Sequence, residues 1–319
     1  MKDYNSMSGC KQKENIKRQE RTTKKSVLAP VHSIDTYASQ ELGSYALPEV
    51  CNRVRSMLDS DNCSMDEISK AIVFDPAVTT EILKLANSSL YNFRQKVDSL
   101  SKAATVLGGE RIYSMLLSQF TVTAFNELHS KHLDMNRFWV GSFCTGFIAR
   151  DLGKEDGLTK KEQEKLYLSG LMHNLGELAV AKMSPKTAIL CEKLVKKGVH
   201  PWEAQKQQLG FTYSQCSALM LEKWGLPSNL YTPISDMAAV NILDQSHSAR
   251  ILNISANSAL TETSENMFDI NTILKAKFPE LLPSNIEYIH SAKRNAIDHS
   301  ISVVDLMDTF DASEHKSET

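Results

Sequence analysis

An excess of charge of one sign, a long apolar run and paired cysteines are all missing from this chain of 319 residues. Its 36 lysine and arginine residues nearly balance 38 acidic residues, so the basic footprint typical of nucleic-acid-binding proteins is absent. No apolar run approaches the roughly 20 residues that cross a bilayer. The basic N-terminal segment is not followed by the apolar segment that a secretory signal needs. We therefore expect a cytoplasmic protein whose partners are neither membranes nor nucleic acids.

The six cysteines are scattered, and no two of them form a Cys-x-x-Cys pair. A disulfide framework or a zinc knuckle needs closer grouping, so we expect small buried apolar side chains in a reducing compartment. A Gly-x-Ser-x-Gly nucleophile elbow is also absent. Gly108-Gly109 lacks the Gly-Lys-Ser/Thr that would cradle a phosphate, and no cofactor is predicted. The cysteines are Cys10, Cys51, Cys63, Cys144, Cys191 and Cys216.

Strand-like alternation of polar and apolar residues is lacking, whereas helix signals recur along the chain. Ser64 to Glu67, Thr159 to Glu162 and Ser284 to Glu287 each have the spacing of a capping box, which starts a helix. Ser184 precedes a proline, as in a first helical turn, and Gly198 follows two lysines, as at a helix end. Two apolar stripes have helical spacing: Val78, Ile82, Leu85 and Ala86, then Ile286, Ile289, Ile297, Ile301 and Val304. The sequence therefore predicts an all-α protein.

The distribution of polar residues divides the chain into four segments. Residues 1–28 are rich in lysine and arginine and poor in apolar residues, so we predict a disordered polar arm. Docking of this arm on an acidic partner is the alternative. Residues 42–128 form one predicted helical subdomain, and residues 133–310 form a second. Residues 311–319 are predicted to be a polar tail.

Six short motifs follow one another through the two predicted subdomains. They are Leu-Pro at 47–48, Asp-Pro-Ala-Val-Thr-Thr-Glu-Ile-Leu-Lys-Leu-Ala-Asn-Ser at 75–88, Val-Leu-Gly-Gly-Glu-Arg-Ile at 106–112, Phe-Trp at 138–139, Ser-Gly-Leu-Met-His-Asn-Leu-Gly at 169–176 and Lys-Trp-Gly-Leu-Pro at 223–227. In this order and spacing they resemble the HDOD family, the HD-related output domain of bacterial signalling proteins. The resemblance implies an HD-domain-like helical fold of two packed subdomains and a regulatory role.

The motif at 169–176 also resembles the metal-binding signature of HD-type phosphohydrolases, with an amide in place of a carboxylate. In that chemistry a His-Asp pair, an earlier histidine and a later aspartate hold a divalent metal that activates water. By this resemblance the corresponding positions here are His173-Asn174, Gly141 and Asn257. A neutral amide oxygen attracts a hard cation far less than a carboxylate does. We therefore predict a degenerate site with no metal and no catalytic residue.

Two polar pairs are the predicted contacts for a ligand or partner, Asn87-Ser88 and His173-Asn174. Polar groups at a cleft between the two subdomains would suit a small ligand. Each pair also has a structural interpretation. Asn87 and Ser88 could hydrogen-bond locally at a helix end. His173, among apolar neighbours, could be a buried histidine bonded to the backbone or to Asn174.

The predicted function is non-catalytic signal transduction, by binding of a signalling protein partner or of a small ligand such as a cyclic dinucleotide. One alternative is a residual metal-dependent phosphohydrolase of the HD type, in which His247 or Asp236 joins His173 as a ligand. A second alternative is a nucleic-acid-binding regulator that uses the basic arm, with binding that weakens as salt rises.

Overall fold

The computed structural model describes residues 32–40, 47–60, 63–73, 76–88, 96–126, 133–239, 245–263, 271–272, 274, 278 and 283–314. Over these residues the regular structure is helical, without strands, which confirms the all-α prediction. None of the helices in these ranges has the length and apolar content to cross a membrane. The predicted arm at 1–28 lies outside the described residues, as does Cys10.

Six helices precede the predicted boundary between the subdomains and nine follow it. The first six are α1 (Ile34–Gln40), α2 (Glu49–Leu58), α3 (Met65–Ile72), α4 (Pro76–Ala86), α5 (Leu100–Leu107) and α6 (Gly109–Asn126). The others are α7 (Met135–Glu155), α8 (Lys160–Met172), α9 (Leu175–Met183), α10 (Pro185–Lys196), α11 (Pro201–Leu209), α12 (Tyr213–Lys223), α13 (Ser228–Asp236), α14 (His247–Thr263) and α15 (Pro283–Glu314). The counts refer to the described residues alone.

Two of the three predicted capping boxes start helices. At α3 the backbone N–H of Glu67 donates to Ser64 Oγ over 3.2 Å, and the N–H of Ser64 donates back to the glutamate. Thr159 caps α8 in the same way. The third prediction is wrong, because α15 already begins at Pro283 and Ser284 lies inside its first turn. Gly198, with a φ of 87°, follows the end of α10 as predicted.

The hydrophobic core extends through both predicted subdomains, with α7 packed against α8, α14 and α15. Of the predicted stripe on α15, Ile289 and Val304 are buried, but Ile301 is 45% exposed. The buried face of α15 instead includes Ala292 and Ala296, whose small side chains let it pack closely on α7. This helix continues to Glu314, four residues into the predicted tail at 311–319.

Helix α1 belongs to the core although it precedes the predicted first subdomain. It packs against α9 and α12, and the side chain of Tyr37 is fully buried there. The Tyr37 hydroxyl donates to Ser184 Oγ over 2.8 Å, and its ring meets the Phe211 ring edge-on at 5.7 Å between centroids. The core that contains α9 and α12 therefore begins before residue 42. The division into subdomains at 42–128 and 133–310 stays a prediction.

Ion pairs connect α2 and α6 with α8. The Arg55 guanidinium bonds to Asp59 and lies 3.4 Å from a Glu110 oxygen, and Lys161 Nζ lies 3.3 Å from Asp59 and 3.6 Å from Glu110. The hydrogen bond from Arg55 is the main reason that the pKa of Asp59 falls to about 2. Since these side chains are partly exposed, each pair contributes well under about 1 kcal/mol to stability.

Helices α7 and α8 cross at two glycines that allow their backbones to touch. A methyl group added at Gly170 would lie 2.7 Å from Gly146 Cα and 2.8 Å from its nitrogen. A methyl group added at Gly146 would lie 2.7 Å from the carbonyl oxygen of Tyr167. Backbone atoms cannot move aside as a flexible side chain can, so this crossing needs glycine on both helices.

The Gly170→Ala variant tests this close crossing. We expect a loss of about 1–3 kcal/mol in the free energy of unfolding, because the added methyl group forces two packed helices apart. Urea denaturation at neutral pH measures it. Gly153→Ala on α7 is the matched control, since its added methyl group meets the movable end of Leu166. Equal stability of the two variants would contradict the proposed constraint.

Candidate functional site

A cavity of about 300 Å³ lies among α7, α9, α10, α11, α12 and α14. Gly141, His173 and Asn174 line it, so three of the four degenerate HD positions come together. The cavity lies within residues 133–260, inside the second predicted subdomain. The expected cleft between the subdomains is therefore not its location. At that junction, beside Ser114 and Leu230, a void of about 10 Å³ has room for about one water molecule.

His173 follows the last residue of α8 and is neutral. Its Nδ1 lies 2.6 Å from the carbonyl oxygen of Gly170, and a carbonyl can only accept, so Nδ1 carries the proton. This leaves the lone pair on Nε2. Desolvation lowers the pKa of the imidazole to about 4, against the weaker opposing effect of the backbone hydrogen bond. The ring therefore offers an acceptor, and no positive charge, at neutral pH.

Asn174 separates α8 from α9 and bonds to an acid one helical turn later. Its φ of −113° lies outside the left-handed region. The Asn174 amide Nδ2–H donates to Glu177 Oε2. Glu177 also lines the cavity. Its carboxylate fixes the amide orientation, because a carboxylate accepts and cannot donate.

Burial raises the pKa of Glu177 to about 7. The hydrogen bond from Asn174 and the positive charge of Arg137 act in the opposite direction, and Glu192 adds to the rise. Sequence reasoning missed Glu177 as a site residue. The available signal was a single acid in the otherwise apolar run 175–181, four residues after His173. A desolvated carboxyl in a cavity is typical of a functional group.

Two neighbouring features position Glu177. A methyl group added at Gly176 would lie 2.4 Å from the carbonyl oxygen of Tyr213, so glycine lets α9 lie directly on α12. The backbone N–H of Gly176 donates to Ser217 Oγ over 2.8 Å. Beside them, burial raises the pKa of the Tyr213 hydroxyl well above 10 and that of the Cys191 thiol to about 11. On this side, the neighbours of Glu177 are thus uncharged and poorly hydrated.

Asn257 is fully buried on α14, and both ends of its amide are bonded. Its Oδ1 accepts from His200 Nε2 over 2.8 Å, and its Nδ2 donates to the carbonyl oxygen and Oδ1 of Asn253. His200 in turn accepts from the backbone N–H of Trp202. Asn257 thus supports the start of α11, which brings Trp202 to the cavity wall.

The residues at the four HD positions do not fit the metal that the fold family implies. Gly141 has no side chain to donate, the amide of Asn174 turns its N–H to Glu177, and that of Asn257 is fully used. The described residues contain no group of three or more His, Cys, Asp or Glu that could hold a metal ion. Neither His247 nor Asp236 is among the described residues that line the cavity, and His247 lies 3.3 Å from Asp156.

Asn87 and Ser88 lie at the end of α4, away from this cavity. The Asn87 amide donates to the carbonyl oxygens of Leu83 and Val97 and accepts from the N–H of Val97. Ser88 Oγ donates to the carbonyl oxygen of Leu85. The structure therefore does not bring this pair together with His173-Asn174, and both side chains hold local backbone.

Cys51, Cys144, Cys191 and Cys216 are buried free thiols, as expected.

The model of the HDOD domain matches residues 45–240 of this chain, which is more than half of it. The chain therefore belongs to the HDOD family, as the sequence motifs predicted. An uncharacterized protein of Treponema pallidum (strain Nichols) is 24% identical over 189 residues, 59% of this chain. The match spans 36% of the length of that relative.

Solved structures share the fold at low sequence identity. An HDOD domain protein with unknown function from Geobacter sulfurreducens has a TM-score of 0.66 at 14% identity, covering 84% of this chain and 96% of its own. A Shewanella amazonensis protein, provisionally named a phosphohydrolase, has a TM-score of 0.62 at 18% identity, covering 84% and 97%. A Marinobacter aquaeolei protein, provisionally named a signal transduction protein, has a TM-score of 0.61 at 19% identity. The match covers 81% of this chain and 59% of that protein.

The raised pKa of Glu177 predicts a pH dependence of stability that Glu177→Gln removes. An acid whose folded-state pKa rises from 4.5 to about 7 contributes stability below pH 4.5 that is lost as pH rises to about 7. The pKa of His173 is lowered from 6.5 to about 4, so His173 has the opposite effect on stability in the same range. Its contribution to stability is lost as pH falls. The free energy of unfolding of Glu177→Gln should therefore rise more steeply with pH than that of the wild type. Between pH 4 and 8 the two rises should differ by up to about 3 kcal/mol.

Urea midpoints at pH 4, 6 and 8 measure this difference. The charged and titratable side chains that face Glu177 are shared by wild type and variant: Arg137 from α7, His173 after α8, Cys191 and Glu192 from α10, and Tyr213 from α12. Glu203→Gln, an exposed acid on α11, controls for the loss of one negative charge. Parallel pH profiles for wild type and Glu177→Gln would refute the assigned burial.

Proposed function

We propose that this HDOD protein is a non-catalytic signal-transduction module of the cytoplasm, which acts by binding a small signalling ligand or a protein partner at the cavity beside His173. The observation that carries the proposal is the hydrogen bond from the Asn174 amide to Glu177. Where an HD hydrolase directs a carboxylate at a metal, this chain uses an amide N–H to bond a neighbouring acid. The cavity remains, with a polar wall suited to binding.

Binding at this cavity can alter the arrangement of the helices around it. Helices α7, α9, α10, α11 and α14 all contribute to the wall, and a ligand shifts their arrangement if it binds one arrangement more tightly than another. Glu177 is a source of such a difference, because desolvation makes its charged form unfavourable. A ligand or partner that neutralises this charge stabilises the arrangement in which Glu177 is enclosed.

A residual HD-type phosphohydrolase is the second candidate. Its support is that His173 and Glu177, an imidazole and a carboxylate, line the same cavity. Two structural neighbours also carry phosphohydrolase names, which describe those proteins. Against it stands the loss of ligand side chains at the other HD positions, since losing even supporting groups costs about 10- to 100-fold in metal affinity.

Metal analysis together with a phosphodiesterase assay separates the two candidates. Protein purified without chelators, then incubated with Mg²⁺, Mn²⁺ or Fe²⁺ and desalted, should retain far less than one metal per chain. It should hydrolyse bis-p-nitrophenyl phosphate no faster than Glu177→Gln does. A stoichiometric bound metal together with hydrolysis that His173→Ala abolishes would overturn the non-catalytic proposal.

A thermal-shift screen with cyclic dinucleotides tests one class of ligand directly. A ligand specific for the folded state should raise the melting temperature in a saturable way, by an amount set by its concentration relative to Kd. Cavity binding should also disappear in Ala259→Trp, which fills the space from α14. A shift that survives this substitution would place the ligand elsewhere.

A further inference from the structure

The polar wall beside α9 presents three hydrogen-bond acceptors, together with the second N–H of the Asn174 amide. His173 donates through Nδ1 to Gly170, which leaves Nε2 as an acceptor. Asn174 donates through Nδ2 to Glu177 Oε2, which leaves Asn174 Oδ1 and Glu177 Oε1 as acceptors. All three side chains line the cavity within five consecutive residues. A ligand that satisfies this wall must bring donors.

The charges that line the cavity sum to one negative charge when Glu177 is ionised. Three acids line it, Asp134, Glu177 and Glu192, against two bases, Arg137 and Lys196, so two minus three is minus one. Lys196 Nζ lies 3.1 Å from Glu192, which neutralises that pair at the rim. His173 adds no charge because it is neutral. Arg137 offsets one of the two remaining acids, Asp134 and Glu177, so one negative charge is left, and Glu177 is the less exposed of these two acids.

A second part of the cavity lining, from α11 and α14, is apolar and is held in place. Trp202 and Leu260 line it together with Ala259. The Trp202 ring meets the His200 ring edge-on at 5.2 Å between centroids, and His200 is anchored by Asn257. An aromatic face near a buried carboxylate also suits a cation, which the ring attracts electrostatically. The volume of about 300 Å³ lies at the lower end of small-molecule sites.

We propose that this cavity binds a small molecule through a protonated amine, amidine or guanidine group, which donates to Glu177 Oε1 and His173 Nε2 while its apolar part packs on Trp202. This inference rests on the proposed function, whose ligand class it specifies. A divalent metal would need several anionic oxygens, and the wall provides one carboxylate with one oxygen already bonded. An anionic ligand would add to the net negative charge of the cavity. A monocation with several N–H donors matches both the charge and the acceptors.

Three probes of similar shape and different charge test the proposal by calorimetry with the full chain. They are 2-phenylethylammonium, the neutral 2-phenylethanol and the anionic 3-phenylpropanoate. We expect the ammonium to bind at least about tenfold more tightly than the alcohol, because only the ammonium forms a hydrogen bond between two charged groups. Binding of the carboxylate should be weaker still.

The Glu177→Gln variant shows whether this preference comes from the proposed group. It keeps the shape of the wall and an acceptor for Asn174, and it should reduce the ratio of ammonium to alcohol affinity to within about threefold of one. Glu203→Gln, which removes an exposed acid outside the cavity, should keep the wild-type ratio. Equal binding of ammonium and alcohol, a preference that persists in Glu177→Gln, or no ammonium binding at about 10 mM would overturn the inference.

A fourth probe separates a free small molecule from a side chain of a partner protein. In N-acetyl-lysine methylamide the ammonium is attached to a peptide backbone. Tighter binding of 2-phenylethylammonium favours a free amine, whereas tighter binding of the lysine probe would overturn the small-molecule assignment. Binding of the alcohol or carboxylate alone would refute the charge inference and leave the non-catalytic binding function standing. The non-catalytic function would be overturned only by a stoichiometric bound metal together with hydrolysis.

Discussion

The contact between the backbones of α7 and α8 determines where the groups of the cavity lie. Gly146 and Gly170 approach so closely that a methyl group on either would collide with backbone atoms of the other helix. Three residues after Gly170 comes His173, and five residues before Gly146 lies Gly141. The crossing therefore places the end of α8 against the middle of α7. Because Gly141 has no side chain, a space is left between the two helices there. The empty position at Gly141 is part of the cavity wall.

Local signals in the sequence predicted the helices well and the long-range contacts poorly. The capping boxes at Ser64 and Thr159 are complete within four residues, so their pattern identifies the helix start without knowledge of the fold. Tyr37 and Ser184 are 147 residues apart, and no local pattern indicates their hydrogen bond. On α15, hydrophobicity favoured Ile301, but the helix buries Ala292 and Ala296 and leaves Ile301 45% exposed.

The candidate site shows the same division between local and long-range information. The sequence motif identified His173 and Asn174 because family resemblance is a local pattern of residue types. Glu177 is part of the same stretch, but its importance arises from desolvation by α7, α10 and α12, which the motif does not contain. Asn87 and Ser88 match the family motif as well, yet their side chains bond to the backbone of Val97 and Leu85, away from the cavity.

The amides at the HD positions form a self-consistent polar network. If aspartates of a metal site were replaced by asparagines with no other change, two buried N–H₂ groups would be left without acceptors, at a cost of about 1–3 kcal/mol each. Here the Asn174 amide donates to Glu177, and the Asn257 amide donates to Asn253 and accepts from His200. Each new donor has an acceptor from a nearby residue of the same helix or the following one. The network around His173 is thus stable without a cation, while the remaining oxygen of Glu177 still faces the cavity. The proposed binding of a hydrogen-bond donor depends on this remaining oxygen.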